Sequence, residues 1–183
     1  MREKTKEIYL TEELKKYYLN DYTENVLTES DPAWKLDSRV DQYLTKINKN
    51  PFIQTLFAQY IPGMEGTSKK EGYLWFCYAE SVKEIVLTKS IPALKHQFEL
   101  KTRELNKKNI PNIEYNEEFP RRREKEEIYP ESKLGCRNNI DYFYINHIVI
   151  KLESRDSETH TIFWELLSEI LCRVNFVSDQ RIV

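Results

Sequence analysis

Long apolar runs are missing from this chain, and glycine, cysteine and methionine are scarce, at four, three and two residues of 183. No window approaches the roughly 18 to 20 consecutive apolar residues that a membrane-spanning helix needs. The first ten residues, MREKTKEIYL, carry charge where a signal peptide has its apolar stretch, so cytoplasmic residence and no membrane partner are expected. Cys77, Cys136 and Cys172 are odd in number and far apart, with no CxxC pair. That spacing argues against a disulfide framework, a zinc knuckle and a thioredoxin-type redox motif. His96 and His147 read as ordinary surface or partly buried histidines, so neither a metal nor another cofactor is expected. A net charge of −2 excludes a globally basic nucleic-acid coat and leaves room for a local phosphate-binding patch.

What is abundant is charge, 32% of residues, together with strong helix formers. With so little glycine, that composition favours an α-rich fold. Thr11 before EELKKYYL reads as an N-cap, its hydroxyl placed to satisfy an orphan amide. Asp31-Pro32 opens a second helix with Val40, Tyr43, Leu44 and Ile47 on its apolar stripe, and Pro51 a third over PFIQTLFAQYI. GMEGTSKK lacks the Gly-Lys-Ser/Thr of a phosphate-binding loop and reads as a connection. The most apolar segment, YLWFCYAESVKEIVL, reads as a helix, and Ser90-Ile91-Pro92 starts another to about Asn106 with Leu94, Phe98 and Leu105 facing inward. Cys77 and Cys172 then read as core residues.

From Asn109 to Arg137 the periodicity stops. Pro111, Pro120 and Pro130 punctuate a long charged loop in which Arg121, Arg122 and Arg123 are the candidate phosphate contacts, flanked by glutamates. NNIDYFYINHIVIKLES has β-branched and aromatic content, yet it fails strict alternation and carries a helical stripe at Ile145, Val149 and Leu152. It is assigned to helix, with one short β element near 140–152 as the alternative. The final helix is the clearest: Ser157 as N-cap, then Ile162, Phe163, Leu166, Leu167, Ile170, Leu171 and Val174 on one face. The expected architecture is mainly α: an N-terminal helical region over 1–66, then a helical bundle over 67–183 interrupted by the charged loop, with one continuous domain as the alternative.

The candidate chemistry sits where that last helix begins. Unpaired amides at a helix start favour an anion, Arg155 can grip the same anion with its planar fork, and His160 near the positive end of the dipole is disposed to stay neutral. A neutral imidazole beside a held phosphate can take the proton of a ribose hydroxyl, which then attacks phosphorus without a metal.

Arg155-Asp156-Ser157-Glu158-Thr159-His160 resembles the Arg-polar-x3-His motif of the HEPN superfamily, and the upstream apolar segment with Glu80 resembles the acidic helix of such proteins. Thr161 stands where members often have a small residue. The resemblance implies a helical fold and a metal-independent RNA endonuclease, such as a toxin or antiviral effector. It implies Arg155 as phosphate ligand, His160 as general acid/base, Asp156 and Glu80 as orienting residues, RNA as substrate and a homodimer. The alternative is a helical protein-binding module, an inhibitor or immunity factor, with no catalysis and a protein partner. Its abundant tyrosines, among them Tyr17, Tyr18, Tyr142 and Tyr144, would supply contact area.

Overall fold

The computed structural model describes residues 9–21, 38–59, 71–105, 110–118 and 145–175. In chain order these give α1 (Glu12–Asp21), α2 (Ser38–Asn48), β1 (Ile53–Gln59), β2 (Glu71–Tyr78), a 3-10 turn (Glu80–Val82), α3 (Lys83–Ile85), a π-helical turn (Val86–Ser90), α4 (Ile91–Glu104), β3 (Ile113–Glu118), β4 (His147–Glu153) and α5 (Ser157–Leu171). The four strands form one antiparallel sheet in the order β1-β2-β4-β3. The protein is α+β, and the expectation of a mainly helical bundle is overturned.

Three segments account for the error. PFIQTLFAQYI holds β1 rather than a helix, and a bulge between Thr55 and Phe57 breaks the alternation that would have marked it. YLWFCYAESVKEIVL spans two elements, β2 and the helical turns after it. HIVIKLE is β4, as the alternative of a short β element near 140–152 had it, a central strand buried from His147 to Ile150 without a gap. A strand covered on both faces reads as a continuous apolar run, not as an alternation. β3, meanwhile, lies inside the segment assigned to the charged loop, as the polar edge strand IEYNEE.

β2 and β3 both pair antiparallel with β4, so they run parallel with β4 between them, joined through α4 as a split β-α-β unit. The sheet crosses the boundary drawn at residue 66, because β1 pairs with β2. One core takes side chains from both sides of that boundary: Val40, Leu44 and Ile47 of α2, Leu74, Phe76 and Tyr78 of β2, Leu94 and Phe98 of α4, Ile148, Ile150 and Leu152 of β4, and Phe163, Trp164 and Leu167 of α5. Trp164 is fully buried, stacked on Tyr43 at 6.3 Å and edge-on to Phe163 at 5.6 Å. Leu105, expected inside, is 40% exposed.

Helices α2, α4 and α5 therefore cover one face of the sheet. The chain crosses to the other face at Tyr9–Leu10, where Leu10 N donates to Tyr78 O (3.0 Å), and α1 begins with Leu14 N donating to Thr11 Oγ1 at 3.2 Å, the expected cap. There Leu10, Cys77 and Ile145 make a second, smaller core with Leu14 and Leu56. The π-helical turn has a local cause. Pro92 has no N–H and its ring would clash with the Thr88 carbonyl in a regular α-helix, and widening the preceding turn relieves both. Among the described residues no helix is long and apolar enough to cross a membrane.

Candidate functional site

Arg155 and Asp156 lie in the turn from β4 into α5, and His160 in the first turn of α5. Asp156, not Ser157, is the N-cap: its backbone is extended at φ −95°, ψ 120°, and its carboxylate Oδ2 accepts from Thr159 N at 3.1 Å and Thr159 Oγ1 at 2.5 Å. Ser154 Oγ accepts from Asp156 N at 3.2 Å, and Asp156 O accepts from His160 N at 3.3 Å. The anion at this helix start is thus a carboxylate of the chain itself, on the amides that a phosphate was expected to meet.

His160 is 1% exposed, and its Nε2 lies 2.8 Å from the Ser154 carbonyl oxygen. A carbonyl only accepts, so Nε2 carries the proton in this bond. Arg155 is exposed. The arrangement joins the last residues of β4 to the first turn of α5; the imidazole is directed into the turn.

Glu80 lies elsewhere. Glu71 of β2 pairs with Glu153, next to Arg155, whereas Glu80 follows the opposite end of β2, past Tyr78. At about 3.3 Å per residue those ends are roughly 23 Å apart, too far for Glu80 to orient either residue. Arg121, Arg122 and Arg123 lie outside the described residues.

The pairing register assembles a second constellation on the sheet face opposite α2, α4 and α5. Gln54 stands opposite Cys77, and Cys77 opposite His147, which puts three polar or titratable side chains in one cross-strand row. The next row pairs Trp75 with Val149, and the one after it pairs Tyr73 with Lys151 and Lys151 with Glu114. The His147 ring stacks on Trp75 (5.4 Å, 17° between planes), and Trp75 meets Tyr73 at 6.4 Å. An aromatic line thus runs along the two central strands, with Tyr73 and Trp75 half-buried and His147 buried. Local sequence periodicity gives no access to it, because the partners are about 70 residues apart in the chain.

Lys15 reaches this row from α1: its Nζ donates to Ile53 O at 2.5 Å and to Gln54 Oε1 at 3.3 Å. Burial lowers its pKa to about 8, an effect that the neighbouring Cys77 sulfur partly opposes. Burial pushes the Cys77 thiol up, against a smaller downward pull from Lys15. A thiol held protonated is no nucleophile. His147, whose Nδ1 faces Ile145 O at 2.8 Å, does not turn the row into a Cys-His catalytic pair.

Among the described residues no group of three or more His, Cys, Asp or Glu side chains is placed to hold a metal ion. The chain matches no family model, no curated protein and no solved structure. The functional reading therefore rests on these two places alone.

Proposed function

We propose that this chain is a non-catalytic binding module of the cytoplasm that receives short single-stranded RNA on the aromatic face of its sheet. One observation carries the reading: Tyr73 and Trp75, both half-buried, stand two residues apart on the central strand β2, on the face opposite the three core helices. Unpaired bases stack on aromatic rings, each worth about 1–3 kcal/mol, and a four-stranded sheet with aromatics on its central strands is one recurring way to present them. In the same row Lys151 stands opposite Tyr73 and Glu114 opposite Lys151, so the charge there is close to balanced. Stacking, not charge, is then the main source of affinity, and the salt dependence is shallow.

The nuclease reading asks a general acid/base to reach a ribose hydroxyl. His160 at 1% exposure, bonded to Ser154 O, lends that no support. The helical frame that the HEPN resemblance implied is also not the frame of this chain, whose segment before Arg155 is β4.

The test is fluorescence anisotropy with labelled single-stranded RNA of about eight to twelve nucleotides, chosen to span the aromatic line, with a duplex of the same sequence for comparison. Single strands are expected to bind, the duplex not, and Trp75→Ala and Tyr73→Ala are each expected to weaken binding about tenfold. Equal affinity of wild type and both folded variants would overturn the reading. Recovery of the RNA in the presence of a chelator separates binding from cleavage: loss of intact RNA that a folded Arg155→Ala variant abolishes would restore the enzyme. No RNA binding, with a protein captured through Trp75, would favour the protein-partner reading instead.

A further inference from the structure

We infer that β3 selects the bases of the RNA stacked on this face: Glu114 takes a guanine beside Tyr73, and Asn116 an adenine beside Trp75. The role presupposes the stacking proposed for Tyr73 and Trp75 and narrows the bound RNA to adjacent purines.

The placement follows from the pleat of the strand. Ile113 is buried in the helix-side core, and Lys95 of α4 lies 4.9 Å over the Tyr115 ring, so Ile113 and Tyr115 face the helices. Successive strand residues alternate between faces, which turns Glu114 and Asn116 toward the face that carries Tyr73 and Trp75. Both are exposed, so a base has access to them. The register then sets two rows. Tyr73 stands opposite Lys151 and Lys151 opposite Glu114; Trp75 stands opposite Val149 and Val149 opposite Asn116. At about 4.8 Å between strands, each aromatic residue of β2 is roughly 10 Å from a polar residue of β3. That gap suits a purine, whose two fused rings can lie over β4 with one end on the aromatic ring and a hydrogen-bonding edge at β3.

The rows differ in what they offer that edge. The Glu114 carboxylate has two oxygens and only accepts. Guanine is the base with two neighbouring N–H groups on one edge, N1–H and N2–H, one for each oxygen, and its O6 beside them can accept from the Lys151 ammonium in the same row. Asn116 carries an acceptor and a donor side by side, the pattern that pairs with N6 and N7 of adenine, and its neighbour Val149 is apolar and buried. An exposed carboxylate also repels phosphate, so the RNA backbone stays off β3 and the base edges turn toward it.

The experiment measures fluorescence anisotropy of the full-length chain with labelled decauridine and with the same oligonucleotide carrying GA, AG or CC at its centre. In the tighter-binding purine step, guanine is then replaced by inosine, which lacks the N2 amino group, or adenine by purine riboside, which lacks the N6 amino group. Wild type is expected to bind that purine step about tenfold tighter than decauridine or the CC oligonucleotide, and to lose about fivefold on either replacement. Glu114→Gln, with one acceptor oxygen in place of two, is expected to be indifferent to inosine yet still to respond to purine riboside. Asn116→Ala is expected to show the reverse. The retained response shows that each variant is folded and binds. Equal affinity for the uridine, cytidine and purine oligonucleotides, or replacements that cost both variants what they cost wild type, would overturn base selection by β3 and leave the stacking standing. No binding of any oligonucleotide would overturn both.

Discussion

His160 and Ser154, six residues apart, are joined by a 2.8 Å hydrogen bond from the imidazole Nε2 to the backbone carbonyl oxygen, and this bond closes the turn between β4 and α5. The ring is buried, so the bond forms out of water, where a lost partner is expensive.

The first prediction follows from that bond. His160→Ala leaves the Ser154 carbonyl without its donor and opens a cavity, so it should destabilise the fold by about 2–4 kcal/mol in urea denaturation. Arg155→Ala, at an exposed position, should change stability by less than about 0.5 kcal/mol. A catalytic pair would show the opposite signature: both variants stable, and both inactive on RNA. Equal and small stability effects of the two substitutions would show that the Ser154 bond contributes nothing.

Asp156 gives a second, independent test of the same turn. Its carboxylate holds Thr159 N and Thr159 Oγ1, so Asp156→Ala should cost about 0.5–2 kcal/mol. Asp156→Ser keeps a cap acceptor and should recover most of that. If Asp156→Ser is as damaging as Asp156→Ala, the capping role is wrong.

The last helix was legible in the sequence because its apolar residues recur on one face only. Ile162, Phe163, Leu166, Leu167, Leu171 and Val174 are all buried, as their spacing required. Its start was misplaced by one residue, since Asp156 and Ser157 are both good caps and only the Thr159 bonds distinguish them. Thr11 was placed correctly, and so were Val40, Leu44 and Ile47 on the buried side of α2. The sheet was not legible. Phe76 and Cys77 are both fully buried, on opposite faces of β2 and in different apolar clusters, so neighbouring positions are apolar and the period of two is lost. The Cys77–His147 row depends on register between distant segments, which no local window contains.

A third prediction concerns pH. In the folded chain Lys15 titrates near 8, against 10.5 for an ordinary lysine, so between those values the unfolded chain binds more protons and stability rises with pH. Below 8 both states are protonated and the contribution is flat, with the burial penalty fully present. Cys77 acts with the opposite sign: its folded thiol stays protonated above its usual 9.0, so from about that value stability falls as pH rises. Lys15 thus dominates this pair from pH 8 to 9. Urea midpoints of wild type should rise across that interval and those of Lys15→Met should not. The same slope in both proteins would rule out Lys15 as its source.

The fourth prediction concerns Asn50, whose buried amide ties the stretch ahead of β1 to the end of α5. Its Nδ2 donates to Leu171 O and to Val174 O, each at 2.8 Å, at the end of α5, while its Oδ1 accepts from Phe52 N at 2.9 Å ahead of β1. Carbonyls at a helix end have no partner within the helix, and here a side chain more than 120 residues away in sequence supplies it. Asn50→Ala leaves two buried carbonyls without their amide donor and the half-buried Phe52 N without its acceptor, and should cost about 3 kcal/mol or more. Asn50→Asp is the sharper test because it preserves shape while replacing the donating amide with an acceptor-only carboxylate facing two carbonyl oxygens. At pH 7 it should destabilise at least as much as Asn50→Ala, and part of the loss should be recovered as the pH falls and the carboxyl gains a proton to donate. An aspartate variant as stable as wild type at pH 7 would mean that the two carbonyls find other donors, and that the end of α5 does not depend on Asn50.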